Sequence, residues 1–264
     1  MLHILIEFWR GLQRWERPAR LSLKLGLLAL IPLLLLWLAG PEALRRPALA
    51  GLCGLGLGLQ MVFLWAWRGM LSDWTRAQRL YLDGDFEAAC DLLQARRAAG
   101  RADMRSLTLL GNALRMRALL EQSETVLREA QAEAPRHAFP LTGLGRTLLA
   151  QGRYVEAAAT FGAAIERGAP EVVALDLGEA LYHSGDVSSA VAHLHTGLGA
   201  TGDAGRRLIA ELLLQRADAA AGPDEGLLQE GLPWLEAQAG RYASTDYGRA
   251  LQSLLDTLPA ARKL

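Results

Sequence analysis

Arg105 and Asn112 are seven residues apart, two turns of one helix, and Arg115 lies three further on, so the three share a face. Guanidinium and amide groups brought together in this way suit charge-assisted hydrogen bonds to a carboxylate. Nothing else in the chain assembles a reactive set. His193 and His195, two apart on a helix, face different directions, whereas a shared metal favours a spacing of three or four. They read as surface histidines, and no metal is expected. Gly51, Gly54, Gly56 and Gly58 have no strand before them and no Lys-Ser/Thr after them, so helix packing explains them better than a phosphate loop. The sequence holds no serine nucleophile elbow and no His-Glu-x-x-His. Cys53 lies in an apolar stretch and Cys90 in an expected helix, so no disulfide framework is implied, and Cys90 reads as a small buried residue. Neither catalysis nor a cofactor is expected.

The elements that position the polar face recur at a fixed period. Leu110-Gly111, Leu144-Gly145 and Leu177-Gly178 align with steps of 34 and 33 residues between the glycines, and Gly152-Arg153-Tyr154 aligns with Gly185-Asp186-Val187 at 33. Tyr81 to Ala89 has the same form as Leu148 to Ala157. Each unit reads as two amphipathic helices joined by a turn, with Gly84, Gly152 and Gly185 as left-handed caps. One such pair cannot bury both apolar faces, so neighbours must stack.

This pattern resembles the tetratricopeptide repeat. The units are 70–103, 104–137, 138–170 and 171–203, followed by a degenerate repeat and capping helices over 204–264. Small residues fall at the eighth position (Ala77, Gly111, Gly145, Gly178) and the twentieth (Ala89, Ser123, Ala157, Ala190), and bulky ones at the twenty-fourth (Leu93, Leu127, Phe161, Leu194). Ala118 stands where the second unit lacks its turn glycine, and Trp74 stands one place late in the first. The last units are expected to form helices over Arg206–Ala220, Leu227–Ala239 (interrupted by Pro233) and Asp246–Leu258.

Two apolar runs precede the repeats. Leu21–Ala39 carries only Ser22 and Lys24 as polar residues, and Ala48–Trp67 is uncharged. Each is long enough to cross a hydrocarbon core of ~30 Å at 1.5 Å per residue. Buried soluble helices and a cleaved signal peptide are the competing readings. The run before Pro18 (Leu5, Phe8, Trp9, Leu12 and Trp15 on one face) reads as an amphipathic helix lying in the interface over residues 1–20. Ala50, Gly54 and Gly58 recur every four residues, a spacing that lets helix backbones approach closely, either the first span or another membrane subunit. The fold class expected is therefore all-α, a transmembrane hairpin followed by a tetratricopeptide-like α-solenoid.

Charge sets orientation. Formal net charge is zero, but residues up to Gly69 hold eight Lys/Arg against three Glu, and the rest holds twenty against twenty-five acidic residues. Eight basic residues flank the two spans outside the loop, against Arg45 and Arg46 within it. Both termini are thus expected in the cytoplasm of a bacterial inner membrane. The mildly acidic soluble part does not suit nucleic acid.

The resemblance also implies a groove lined by the first helix of each unit. Its residues are Trp74, Gln78 and Tyr81; Arg105, Thr108, Asn112, Arg115 and Met116; Phe139, Thr142, Arg146 and Leu149; then Leu175, Glu179, Tyr182 and His183. An acidic or C-terminal peptide is the partner such a set implies. The expected function is a membrane-anchored scaffold that binds protein partners and acts in assembly or stabilisation of a membrane complex. The alternative is a structural subunit that docks through its membrane helices.

Overall fold

The computed structural model describes residues 17–69 and 73–258, and every regular element among them is a helix. The expected interfacial helix before Pro18 lies outside the described residues apart from Arg17. The chain divides into two units, residues 1–75 and 76–264.

In the first unit, α1 (Arg17–Ala39) and α2 (Glu42–Gly69) pack against each other. A Cβ on Gly26 would collide with Leu59, and one on Gly51 would lie 3.1 Å from Leu33. Ala50, Gly54 and Gly58, by contrast, are exposed, and a Cβ on either glycine would meet no neighbouring group within 4 Å. The close approach therefore runs through Gly26 and Gly51, not through the Ala50/Gly54/Gly58 stripe. The link between the two apolar runs is also shorter than their bounds at Ala39 and Ala48 imply. Helix α2 begins at Glu42 and takes in Pro47, because an acidic first turn favours the start and a proline near the start removes a single backbone bond. Among the described residues one helix, Leu21–Ala39, is long and apolar enough to cross a membrane, so a second span over Ala48–Trp67 is not shown.

In the second unit the helices alternate in antiparallel pairs: α3 (Asp73–Leu82, which begins just before the boundary) with α4 (Phe86–Ala98), α5 (Met104–Met116) with α6 (Leu120–Glu133), α7 (Ala138–Ala150) with α8 (Tyr154–Glu166), and α9 (Val173–Ser184) with α10 (Val187–Leu198). Then come α11 (Ala204–Arg216), α12 (Glu225–Arg241) and α13 (Asp246–Asp256). Local chemistry starts them. The side chains of Asp85, Asp103, Asp186, Asp203, Asp224 and Thr245 each accept the backbone N–H three residues on, satisfying a donor that the first turn leaves unpaired. Gly84, Gly152 and Gly185 turn the chain between paired helices at φ of 82°, 79° and 97°. Ala118 takes the same conformation at φ 57° despite its Cβ.

Packing within the pairs follows the small-and-bulky alternation. A Cβ on Gly111 would collide with Leu127, and Cβ atoms on Gly145 and Gly178 would lie 2.6 Å from Phe161 and 2.7 Å from Leu194. Ala89, Ser123, Ala157 and Ala190 are fully buried at the same crossings. The last helices extend this core: Leu235, Tyr242, Leu251 and Leu254 join Leu148, Phe161 and Leu194 in one apolar cluster. Pro233 lies inside α12 without interrupting it, and Gly205 and Gly231 let α11 and α12 close on each other at Trp234 and Leu208.

Candidate functional site

Each first helix of a pair, α3 through α11, turns residues to one inner face, and there Tyr81, Arg115, Met116, Arg146, Leu149, Leu175 and Glu179 line a single cavity of about 400 Å³. All seven are residues that the resemblance puts in the groove by their repeat positions. The spacing of thirty-odd residues becomes a spatial column because the first helices of successive units lie side by side.

The other expected groove residues do not share the cavity. Thr108 is fully buried and donates its hydroxyl to the Met104 carbonyl at 2.8 Å. This corrects its assignment to the groove: its side chain is spent inside the α5 packing. Arg105 is exposed and stands outside the cavity lining, so the shared face inferred from helical spacing does not bring it to Arg115. Asn112 packs against the backbone of Gly143 on α7, its Oδ1 3.1 Å from where a Cβ would stand. Thr142 bonds the Ala138 carbonyl, and Phe139 is 53% exposed. Trp74 and Gln78 are half-buried, and Trp74 belongs to the first unit. Tyr182 packs edge-on against His183.

The arginines are not a free cationic set. Arg146 forms a forked pair with Asp176, its Nη2 at 2.9 Å and its Nε at 3.3 Å from both oxygens. Asp176 also pairs with Arg206 at 2.7 Å. The carboxylate beside it holds the Arg146 guanidinium further above its ordinary pKa. Arg115 donates to the Tyr242 hydroxyl at 3.3 Å, and that hydroxyl lies 3.4 Å from the Arg115 carbonyl. Glu179 is buried and accepts the Tyr247 hydroxyl at 2.8 Å. Burial pushes Glu179 up to about 7, opposed by that hydrogen bond. One turn on, burial pulls His183 down to about 4, and its ring stacks on Tyr154 at 5.0 Å.

Asp176, Arg206, Trp234, Gln238, Tyr242 and Tyr247 also line the cavity and were not anticipated. Four of the six come from α12, α13 and their link. The register fails after Gly222-Pro223, so repeat alignment is silent there. The signal available was the apolar spacing of Tyr247, Leu251, Leu254 and Leu258, which marks one side of α13 as buried. By closing over the inner face, α12 and α13 reduce a long groove to one cavity.

Residues 148–212 match the family model of the tetratricopeptide repeat. A search of curated proteins finds no match. Among solved structures, the thermophilic TPR protein TTC0263 of Thermus thermophilus is similar at 18% identity and a TM-score of 0.50, over 69% of this chain and 97% of that one. A chain of the APC/C hetero-tetramer Cut9–Hcn1 is similar at 16% identity and a TM-score of 0.52, over 88% of this chain and 46% of its own length. MamA (MSR-1 C2) aligns at 18% identity and a TM-score of 0.46, over 63% of this chain and 92% of its own. The second unit is thus a tetratricopeptide-like solenoid in sequence pattern and in fold.

Proposed function

We propose that this protein is a membrane-anchored scaffold whose tetratricopeptide-like array docks a protein partner at the inner-face cavity. The observation that carries this reading is the meeting of Arg115, Arg146 and Arg206 around one cavity built from five successive first helices. Such a site recognises a partner through fixed, charge-assisted donors.

The anchor is the hairpin of α1 and α2, with both ends of the chain in the bacterial cytoplasm. Leu21–Ala39 is only 6% buried, which argues against a soluble core helix. On α2, Leu49, Leu57 and Met61 stay 47%, 66% and 69% exposed. Apolar surface of this extent needs lipid or another protein to cover it, and assembly or stabilisation of a membrane complex is the role that uses both the anchor and the cavity.

The exposure of Ala50, Gly54 and Gly58 supports a second reading, in which the partner is a membrane helix seated on that stripe. Affinity capture with the full-length chain in mild detergent separates the two. Arg115→Ala with Arg146→Ala is expected to abolish capture, and Gly54→Leu with Gly58→Leu to leave it intact. The opposite pattern sinks the cavity reading.

A further inference from the structure

The cavity contains a guanidinium with incomplete hydrogen bonding. Arg115 donates one Nη1 bond to Tyr242, yet its Nε–H is buried without an acceptor. Arg146 and Arg206, at the same cavity, share the single carboxylate of Asp176. Of the two remaining acids on the wall, Asp203 is engaged in capping α11 through the Arg206 backbone N–H. The other is Glu179, whose burial favours the uncharged acid. While Glu179 holds its proton, three guanidiniums face two carboxylates. A half-buried cation and a buried unsatisfied donor are both costly to leave as they are, and one anion at Arg115 relieves both.

We propose that the cavity is a carboxylate-binding site in which Arg115 is the recognition group and the Glu179 carboxyl competes with the bound anion. This names the partner chemistry of the docking reading and rests on it. The space, about 400 Å³ and walled by Tyr242 and Tyr247, admits a carboxylate on a short stem and no long run of extended peptide.

The coupling follows from what faces Glu179. Asp176 lies on its own helix, Arg146 comes from α7, Tyr154 from α8, Arg206 from α11 and Tyr247 from α13. Burial raises Tyr154 to about 12 and Tyr247 well above its usual value, and holds His183 at about 4. These three stay uncharged from pH 6 to 8, and the arginines stay charged, so Glu179 is the group whose titration changes the cavity. When it ionises, it supplies the negative charge that the ligand would bring, and the two compete.

The test titrates the full-length chain in detergent with an acetylated tripeptide bearing a free carboxyl end, its C-terminal amide, and acetate, at pH 6 and pH 8. The free acid binds and the amide does not. Affinity for the acid falls about tenfold from pH 6 to pH 8, and Glu179→Gln binds without that dependence. Arg115→Met weakens binding at least tenfold, and the exposed Arg105→Met does not. If Arg115→Met lowers the melting temperature, Arg115→Lys repeats the test, keeping the charge and losing the Nε–H, and it too must bind more weakly. Equal binding of acid and amide, pH dependence surviving in Glu179→Gln, or unchanged affinity in the Arg115 variants overturns the proposal. Acetate binding as tight as the peptide assigns the carboxylate to a free small acid. Acetate binding at least tenfold weaker assigns it to a chain end. A chain that captures a protein but binds no carboxylate refutes this site alone. One that binds the carboxylate and captures no protein refutes the scaffold reading alone.

Discussion

A Cβ placed on Gly145 would lie 2.6 Å from Cε1 of Phe161, so these two residues set the distance at which α7 crosses α8. Gly111 with Leu127 and Gly178 with Leu194 repeat the relationship in the neighbouring pairs. The inner-face column of Arg115, Arg146 and Glu179 depends on it, because each of those side chains rides on a helix seated at that distance.

Gly145→Leu is therefore expected to overpack the crossing and destabilise the fold by about 1–3 kcal/mol. Glu166→Leu, at an exposed position of α8, should shift stability by less than about 0.5 kcal/mol. Thermal unfolding followed by circular dichroism measures both, and equal melting shifts would refute the crossing.

Ala118 turns the chain between α5 and α6 at φ 57°, a conformation that costs an L-residue about 1 kcal/mol or more. Ala118→Gly should raise stability by up to about 1 kcal/mol, after the glycine's extra unfolded-state entropy is deducted. Gly185→Ala, at φ 97° in the equivalent turn, should lower it by a similar amount. Denaturant midpoints that move the other way would contradict the turn geometry.

Glu179 makes stability fall with pH. Its folded-state pKa, about 7, lies above its ordinary 4.5, so the folded chain holds the proton more tightly than the unfolded one. The contribution is complete below about 4.5 and is lost as pH rises through about 7; its full size is on the order of 3 kcal/mol. Glu179→Gln should flatten the profile between pH 5 and pH 8. Tyr247→Phe removes the hydroxyl donor and should cost about 1–2 kcal/mol. Urea unfolding across that pH range reads all three proteins, and an unaltered slope in Glu179→Gln would remove Glu179 as its source.

Asp176 holds two guanidiniums, and Asp176→Asn leaves Arg146 and Arg206 without their shared charge. Because Arg146 keeps 34% of its side chain in solvent, the expected loss is about 1–3 kcal/mol, below that of a fully buried pair. Replacing Arg146 and Arg206 with Met in the same background should recover part of that loss. A double-mutant cycle in the melting temperature checks this.

A reporter fused after Leu264 is expected to behave as cytoplasmic, and one inserted at Glu42, between the two apolar runs, as external. An external signal from the C-terminal fusion would reverse the proposed orientation.

The repeat array was legible in the chain because its determinants are local and periodic. A small residue at Gly145 and a bulky one at Phe161, sixteen positions on, recur in every unit, and a glycine at Gly152 or Gly185 encodes its own turn. Such positions constrain backbone conformation and pair packing wherever the array is placed. They also put Arg146 and Glu179 on the inner face, since helical spacing decides which way a side chain points. What the chain did not disclose is what each inner residue meets. Thr108 sits on the same helix as Arg115, yet it is buried and spends its hydroxyl on its own backbone. Arg146 finds Asp176 thirty residues away, Arg115 finds Tyr242, and Glu179 finds Tyr247. The last two contacts come from α13 and the link before it, which follow no repeat. Their approach is fixed by a shared apolar core that includes Leu235, Leu251 and Leu254, and burial is a property of the assembled chain. Sequence by itself determined the repeat array and the small-and-bulky crossings within its pairs. Only the tertiary structure decided that α12 and α13 close the inner face, which charges are already paired, and which carboxyl lies deep enough to keep its proton.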